Sequence, residues 1–578
     1  MWILRTALRA TKRFPAHKAI VPASSHFRAM TEKKAYHGSF KKKQKVESKP
    51  IKEGSNEVVL LTDVRQLLVA QETPREETQP ELYSPPERFS EVEVKITELS
   101  STGDGLGLSS TSDHVYVVPF TAPGDVVRAK VVTYFAKDRY TLTDFVEVVT
   151  TSSKRDDSLI RCPYFATCSG CQFQMLSYED QLAHKKTIIE KAFKNFSGLA
   201  PELVPSVGET IGSPLQYGYR TKLTPHFDGP PGSHGRKGRR NGAERKGFQE
   251  VPPIGFMMKG TRRTIDIEDC PIGTDAVRKG IRSERKRVVE ELSKYKRGAT
   301  LLLRESTTRT PRESSEHLES TKFSDKGSPG EQVNGDMKTG IIVEDGHPNV
   351  EAGHADVKPY DEVKTCITDS NATSTEYVDD YVFSNTAGAF FQNNNSILPR
   401  FTAYIREHIL PPTPSTDEKP IKYLIDAYSG SALFTVTLSS LFSSSTGIDI
   451  SPLSIASAKQ NAKANNLSNA RFMAADATAL FKEVTYPSDE TVVVIDPPRK
   501  GCDDPFLQQL LNYGPRRVVY VSCNVHTQAR DVGVLVEGKG GCRYEMESLR
   551  GFDFFPQTGH VEGVAILNRS EPSQAADS

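Results

Sequence analysis

From Ile421 onward the chain alternates short apolar runs with helical stretches, and that alternation leaves few folds open. Residues 423–425 form an apolar run, Ser429, Gly430 and Ser431 a small-residue turn, and residues 433–441 the start of a helix. A second strand ends in Gly447, Ile448 and Asp449, and residues 452–465 read as the next helix. Residues 472–476, 492–496 and 518–522 follow, each an apolar or β-branched strand running into a loop. Strands and helices in this order predict an α/β fold, a doubly wound parallel sheet whose ligands sit beyond the carboxyl ends of its strands. Asp449, closing the second strand, is placed to hold ribose hydroxyls, and the small-residue turn permits close approach of a nucleoside. Together they suggest S-adenosylmethionine, although Asp449 serves equally well as a capping residue near the next helix.

A different pattern precedes this. From Glu91 to about Thr151, Val92, Val94 and Ile96 share one face of a strand while Glu93 and Lys95 share the other. Residues 115–118 and 126–129 make further short strands, punctuated by Gly103, Gly105, Gly107 and the turn Pro123, Gly124, Asp125. A small antiparallel barrel is predicted, an OB-like architecture often used for oligonucleotides. The segment resembles a TRAM domain, the small RNA-binding barrel attached to several RNA-modifying enzymes. A purely structural barrel is the alternative.

Cys162, Cys168 and Cys171 make a Cys-x5-Cys-x2-Cys array, with Cys270 far downstream. Four thiolates suit a [4Fe–4S] cluster or a structural zinc, because both take soft sulfur in a tetrahedral array. Three ligands within ten residues and one distant ligand favour a cluster that pins two segments together. The spacing is not the Cys-x3-Cys-x2-Cys of radical enzymes, so a structural role is expected. Eight cysteines in 578 residues do not read as a secreted disulfide framework.

Two later motifs have spacing too particular for a generic fold: Asp496, Pro497, Pro498, Arg499, Lys500, Gly501, and then Ser522, Cys523, Asn524. Here the chain resembles the RNA uracil-5-methyltransferase family. The resemblance extends upstream through Phe391, Gln392, Asn393 and Asn394 and downstream through Gly559, His560, Val561 and Glu562. With the barrel and the four cysteines it covers most of residues 90–570, and the fungal transfer-RNA branch matches best. It implies a cofactor site of Gln392, Tyr428, Asp449 and Asp496, with Cys523 as nucleophile and Glu562 as base. The turn at residues 426–433 is poorer in glycine than the family's usual loop, and Leu433 stands where a polar side chain is common.

The chemistry explains those residue types. Carbon 5 of uracil is too weak a nucleophile to attack a sulfonium methyl unaided. A thiolate adding to carbon 6 makes the ring an enolate, and carbon 5 then takes the methyl. A base must afterwards remove the carbon 5 proton so that the thiol leaves. A strand-end cysteine suits the first task and a late-loop glutamate the second. His526 is read as a solvated loop histidine or a proton shuttle. The resemblance implies the T-loop uridine 54 of transfer RNA, with ribosomal RNA second, and a flipped-out base. A non-catalytic RNA-binding or RNA-folding protein is the rival of a different class, but it has no use for Cys523 and Glu562. A base amino-methyltransferase, the third reading, usually follows the two prolines with an aromatic, where Arg499 stands here.

The expected order is a disordered basic extension at 1–90, a TRAM barrel at 91–151 and a central α+β domain at 152–304. A disordered insertion at 305–358, the rest of the central domain at 359–420, a Rossmann-like catalytic domain at 421–570 and a tail at 571–578 follow. Within 229–247 lies a Gly/Pro-rich basic loop suited to phosphates. Residues 57–72 put Val59, Leu60, Val64, Leu67 and Leu68 on one helical face of unassigned role. The first thirty-one residues carry six Lys or Arg and no acid, the composition of a mitochondrial transit peptide, and Lys41, Lys42, Lys43 and Lys45 a nuclear signal. Translation from Met30 would drop the first signal, so mitochondrial and nuclear or cytosolic forms are expected. No run of eighteen apolar residues exists, so no membrane partner is expected. A monomer acting on RNA is the expectation.

Overall fold

The structure, a computed structural model, describes residues 54–70, 86–109, 113–230, 247–312, 360–412, 419–475, 481, 484–538 and 542–570. Both lysine- and arginine-rich runs before residue 50, the loop at 231–246, most of the 305–358 insertion and Asp476 lie outside these residues.

The first element among the described residues is a helix, α1 (Asn56–Ala70), inside the stretch expected to be disordered. Val64, Leu67 and Leu68 recur at helical spacing and bury themselves against Leu106, Val115, Val117 and Tyr140 of the barrel. The barrel is built of β1 (Glu91–Leu99), β2 (Gly105–Leu108), β3 (Val115–Val118), β4 (Val126–Phe135) and β5 (Tyr140–Thr150), closed in the order β1-β2-β3-β5-β4. Val94 and Ile96 face inward, as their alternation requires. In β3 all four residues are buried: Tyr116 and Val118 fill the barrel while Val115 and Val117 meet α1. A continuous apolar run is what a strand covered on both faces needs.

After the barrel, α2 (Tyr178–Phe196) and β6 (Val207–Ile211) leave the expected central domain and complete the catalytic one. Ile188, Ile189, Ala192, Phe193 and Val207 belong to the core beneath the large sheet. What remains of the centre is a set of small antiparallel pieces: β7 (Lys222–Leu223), β8 (His226–Phe227), β9 (Gly255–Met257), β10 (Thr264–Asp266), α3 (Asp275–Glu290), β11 (Ala299–Thr300), β12 (Leu303–Pro311), β13 (Tyr360–Ile367), β14 (Thr373–Val378) and β15 (Tyr381–Thr386). The insertion expected from residue 305 starts later. Glu305 to Pro311 pair in register with Cys366 to Tyr360. Its threonines lowered the apolar content that suggested disorder, yet threonine is a good strand former.

The carboxyl-terminal half runs α4 (Leu398–His408), β16 (Tyr423–Ala427), α5 (Leu433–Leu438), β17 (Ser444–Asp449), α6 (Pro452–Ala464), β18 (Ala470–Ala474), β19 (Thr491–Ile495), α7 (Asp504–Tyr513), β20 (Arg517–Ser522), α8 (Val525–Glu537), β21 (Arg543–Phe552) and β22 (Glu562–Ser570). One eight-stranded sheet results, in the order β18-β17-β16-β19-β20-β22-β21-β6. The first five strands are mutually parallel, β22 runs antiparallel to both β20 and β21, and β6 pairs parallel to β21 at the edge. Val493 and Ile495 enter one core and Val492 and Val494 the other, as a central strand buried on both faces demands. Each such side chain contributes roughly 1.5–3 kcal/mol by burial. The strand order reverses between β16 and β19, which opens a crevice at their carboxyl ends. Among the described residues no helix is long and apolar enough to cross a membrane.

Candidate active site

At the reversal point the chain leaves β16 into Tyr428, whose φ is +63°, and then Gly430 at φ +53°. Two left-handed residues so close let the turn fold back over the sheet edge. Asp449, at the end of β17, accepts from the Gly430 amide (3.0 Å) through one oxygen and from the Ser451 amide (2.7 Å) through the other. The cap of α6 is Ser451, whose hydroxyl accepts from the Ser454 amide at 3.2 Å. Asp449 therefore fixes both the small-residue turn and the cap, and each carboxylate oxygen keeps a second lone pair for a hydroxyl donor.

The room beside this turn suits a nucleoside. A side chain at Gly430 would meet nothing within 4 Å, and the buried Ser429 hydroxyl and Asp426 Oδ1 have no partner among the described residues. Asp426 Oδ2 accepts from the Thr435 amide (2.9 Å) and hydroxyl (2.7 Å). Burial, against those bonds, pushes the Asp426 carboxyl up to about 7. Asp496 leaves β19 one strand away, its amide donating to the Ala427 carbonyl at 3.4 Å. Tyr428 packs on Phe506, ring centroids 5.1 Å apart. Tyr428, Asp449 and Asp496 thus share one crevice. Gln392 lies buried on the loop after β15, and no hydrogen bond among the described residues joins its side chain to those three. Its neighbours are stitched down instead: Asn393 accepts from Arg304 at 3.1 Å, and Asn394 donates to Ser213 (3.0 Å) and to the Phe554 carbonyl (3.1 Å).

Cys523 follows β20 and opens on a cavity of about 590 Å³. Arg499, Asn524, His526, Gln172 and His560 line the same space, with α1 and the barrel forming its far wall. Burial pushes the Cys523 thiol up to about 12, helped by the negative charges of Glu562 and Asp496, while the charge and hydrogen bond of Arg499 oppose them. Glu562, the first residue of β22, is fully buried, and burial and the Asp496 charge hold it well above the usual carboxylate range. Sulfur, carboxyl and guanidinium are therefore in electrostatic reach of one another beside the cofactor crevice. Arg499 was quoted in the sequence without a role; the signal was its place inside the Asp496–Gly501 motif.

His526 is not the solvated loop residue expected. It sits in the first turn of α8, buried edge-on against Phe196 with ring centroids 5.2 Å apart, and its Nε2 has no partner among the described residues. Burial drives its pKa down to about 4, so the imidazole is neutral near pH 7.

The four candidate metal ligands influence one another electrostatically. Burial raises the Cys171 thiol first, followed by the charge of Cys270 and then those of Cys162 and Cys168. Cys270 is pushed up to about 12 by burial and by Cys162 and Cys168. All eight cysteines are free. Among the described residues, however, no group of three or more His, Cys, Asp or Glu stands at metal-binding geometry.

Comparison with known proteins adds the following. Residues 369–570 match the family described as tRNA (uracil-5-)-methyltransferase, and residues 85–134 the TRAM domain. The chain is 45% identical over 527 residues to a tRNA (uracil(54)-C(5))-methyltransferase of Schizosaccharomyces pombe, covering 90% of this chain and 85% of that one. It is 41% identical over 497 residues to the protein of the same name from Saccharomyces cerevisiae, covering 82% and 73%. Among solved structures it is similar in fold to the Pyrococcus abyssi tRNA (uracil-54, C5)-methyltransferase in complex with S-adenosyl-L-homocysteine. That match has a TM-score of 0.51 at 23% identity and covers 82% of this chain and all of the other.

Proposed function

The chain belongs to the tRNA (uracil-5-)-methyltransferase family, and we infer that it methylates carbon 5 of uridine 54 in transfer RNA with S-adenosylmethionine as methyl donor. The observation that carries the mechanism is that Cys523 and Arg499 line one cavity beside the β16/β19 crevice, with the buried Glu562 in electrostatic reach of both.

S-adenosylmethionine, which Asp449, Tyr428, Asp496 and Gln392 would hold, would supply an electrophilic methyl and leave as the neutral thioether S-adenosylhomocysteine. The protein's own groups do the rest. Cys523 adds to carbon 6 of the flipped uridine, and Arg499 opposes the charges that keep its sulfur protonated. Carbon 5, now nucleophilic, takes the methyl. Glu562 then removes the carbon 5 proton, the sulfur–carbon bond breaks, and the aromatic ring returns. The barrel wall supports the RNA around the base. RNA containing 5-fluorouridine at position 54 tests this: it should trap the enzyme covalently through Cys523. An adduct that survives Cys523→Ala would overturn the mechanism. Transfer RNA from a deletion strain should lack 5-methyluridine; unchanged content there, with loss from ribosomal RNA, would move the substrate.

The four cysteines are read as holding a structural [4Fe–4S] cluster, zinc being the alternative. Their soft donor set and mutual charge influence across two distant segments support it. Iron with a brown absorbance is expected. Stoichiometric zinc would replace the cluster, and a metal-free active protein would remove both. Residues 1–31 are read as a mitochondrial signal, with a nuclear or cytosolic form starting at Met30. A reporter carrying residues 1–31 that stays diffuse in the cytosol would refute that. The enzyme is read as a monomer, which sedimentation checks.

A further inference from the structure

Residues 54–70 contact the Cys523 loop directly and reach the Glu562 loop through the barrel and Gln172. Gly54, two residues before it, accepts a hydrogen bond through its carbonyl from the Asn524 side-chain amide at 3.1 Å. The same amide donates to the Arg499 carbonyl at 2.9 Å, while the Asn524 side-chain oxygen caps α8 by accepting from the His526 amide at 3.3 Å. The residue after the nucleophile is thus fastened at every polar position of its side chain. Gly54 has φ +70°, and a Cβ there would stand 2.4 Å from the Thr527 methyl, so the approach requires glycine.

Farther along α1, the buried Asp63 accepts from the Ser101 amide at 2.6 Å. Thr102, the next residue, accepts through its carbonyl from Gln172 at 2.7 Å. The Gln172 side-chain oxygen accepts in turn from the Gly559 amide at 3.0 Å, three residues before Glu562. Between these two arms Asn56, Glu57, Val59 and Leu60 line the cavity. The remaining anchors hold the helix down: Gln66 bonds Asn195 at the end of α2, and Arg65 pairs with Asp138 at 3.1 Å.

We propose that residues 54–70 are a positioning strap that holds the Cys523 loop and the Glu562 loop in register across the substrate cavity. The strap acts through Asn524 on one side and through Ser101, Thr102 and Gln172 on the other. It makes residues upstream of the barrel a positioning element for the reacting groups, so any proteolytic maturation must stop before Gly54, whereas a start at Met30 keeps the strap whole. The proposal rests on the reading of Cys523 and Glu562 as nucleophile and base.

The test uses the full-length protein with transfer RNA and its 5-fluorouridine analogue. Gly54→Ala should slow adduct formation and kcat about tenfold with KM for S-adenosylmethionine unchanged. Adding Thr527→Ser, which removes the opposing methyl and keeps the hydroxyl, should restore part of that rate. Asp63→Ala should lower kcat on normal transfer RNA while a covalent protein–RNA species accumulates, because the base loop rather than the nucleophile is displaced; Asp63→Asn should not. An adduct rate for Gly54→Ala within twofold of the parent overturns the strap, as does a loss in both variants that merely follows a fall in Tm. Cys523→Ala run in parallel separates the two readings: if it still forms the adduct, the assignment of the nucleophile fails whatever Gly54 does.

Discussion

Glu562 is buried at the start of β22, two strands from the end of β19 that Asp496 follows, and the negative charge of Asp496 raises Glu562 beyond what burial alone would do. Asp496 itself is pushed up to about 7, by burial first and by Asp426 second. Two carboxyls in one dry site resist simultaneous ionisation. A base in that position is ready once substrate and cofactor charge have entered.

This relationship fixes a pH dependence. Only ionised Glu562 can take the carbon 5 proton, so kcat should rise with pH through a limb well above the ordinary carboxylate value. Stability has the opposite slope. The native protein binds more protons than the unfolded chain between the ordinary and the raised pKa, so stability falls as pH rises through that window. Glu562→Gln should therefore raise Tm at pH 8 and should leave Tm nearly unchanged at pH 4. Melting curves of the two proteins at both pH values check it.

Arg499 is the group that opposes burial at Cys523. Arg499→Ala should slow adduct formation with 5-fluorouridine RNA by about 100-fold, near 2.7 kcal/mol in the barrier. Arg499→Lys keeps the charge without the fork and should recover part of it. Stopped-flow or gel quantitation of the adduct at several pH values reads the effect, and the loss should shrink as pH rises toward the thiol's own pKa.

The parallel strands were legible because β-branched runs such as 492–495 can be buried on both faces only in a covered sheet. Cys523 and Glu562 were legible through flanking motifs. Arg499 was not, since its role depends on where the loop after β19 turns relative to β20. His526 was misread because the burial of one helical turn is decided by a distant phenylalanine, Phe196. Helix α1 was visible as a periodic stripe, but its partner face, Val115 and Val117, became apolar for a reason that only tertiary packing reveals. The assignment of α2 and β6 to the catalytic sheet was likewise invisible, because strand pairing over more than three hundred residues leaves no local trace.

Arg304 and Glu376 form a fully buried ion pair, and Arg304 also donates to Asn393 in the loop that carries Gln392. Removing one partner strands the other charge. Glu376→Ala should cost about 3–5 kcal/mol and lower Tm markedly. Glu376→Gln keeps the shape and should cost less. Because Asn393 adjoins Gln392, the surviving enzyme should show a raised KM for S-adenosylmethionine at little change in KM for transfer RNA. Denaturant titration and steady-state kinetics together check this.

Glu562→Gln separates the two halves of the reaction. The amide cannot accept the carbon 5 proton, yet it fills the same buried space beside Asp496 and removes one of the charges that keep Cys523 protonated. Addition and methyl transfer should then proceed while elimination stalls. Turnover should fall by about 10²–10⁴, the usual worth of a positioned base. With ordinary transfer RNA, a denaturation-resistant protein–RNA species carrying the transferred methyl should accumulate to nearly one per enzyme. Methyl-labelled S-adenosylmethionine and gel electrophoresis reveal it directly. Label found only in free RNA, or no covalent species at all, would assign the proton removal to another group, and the neutral His526 on the same cavity would be the next to replace.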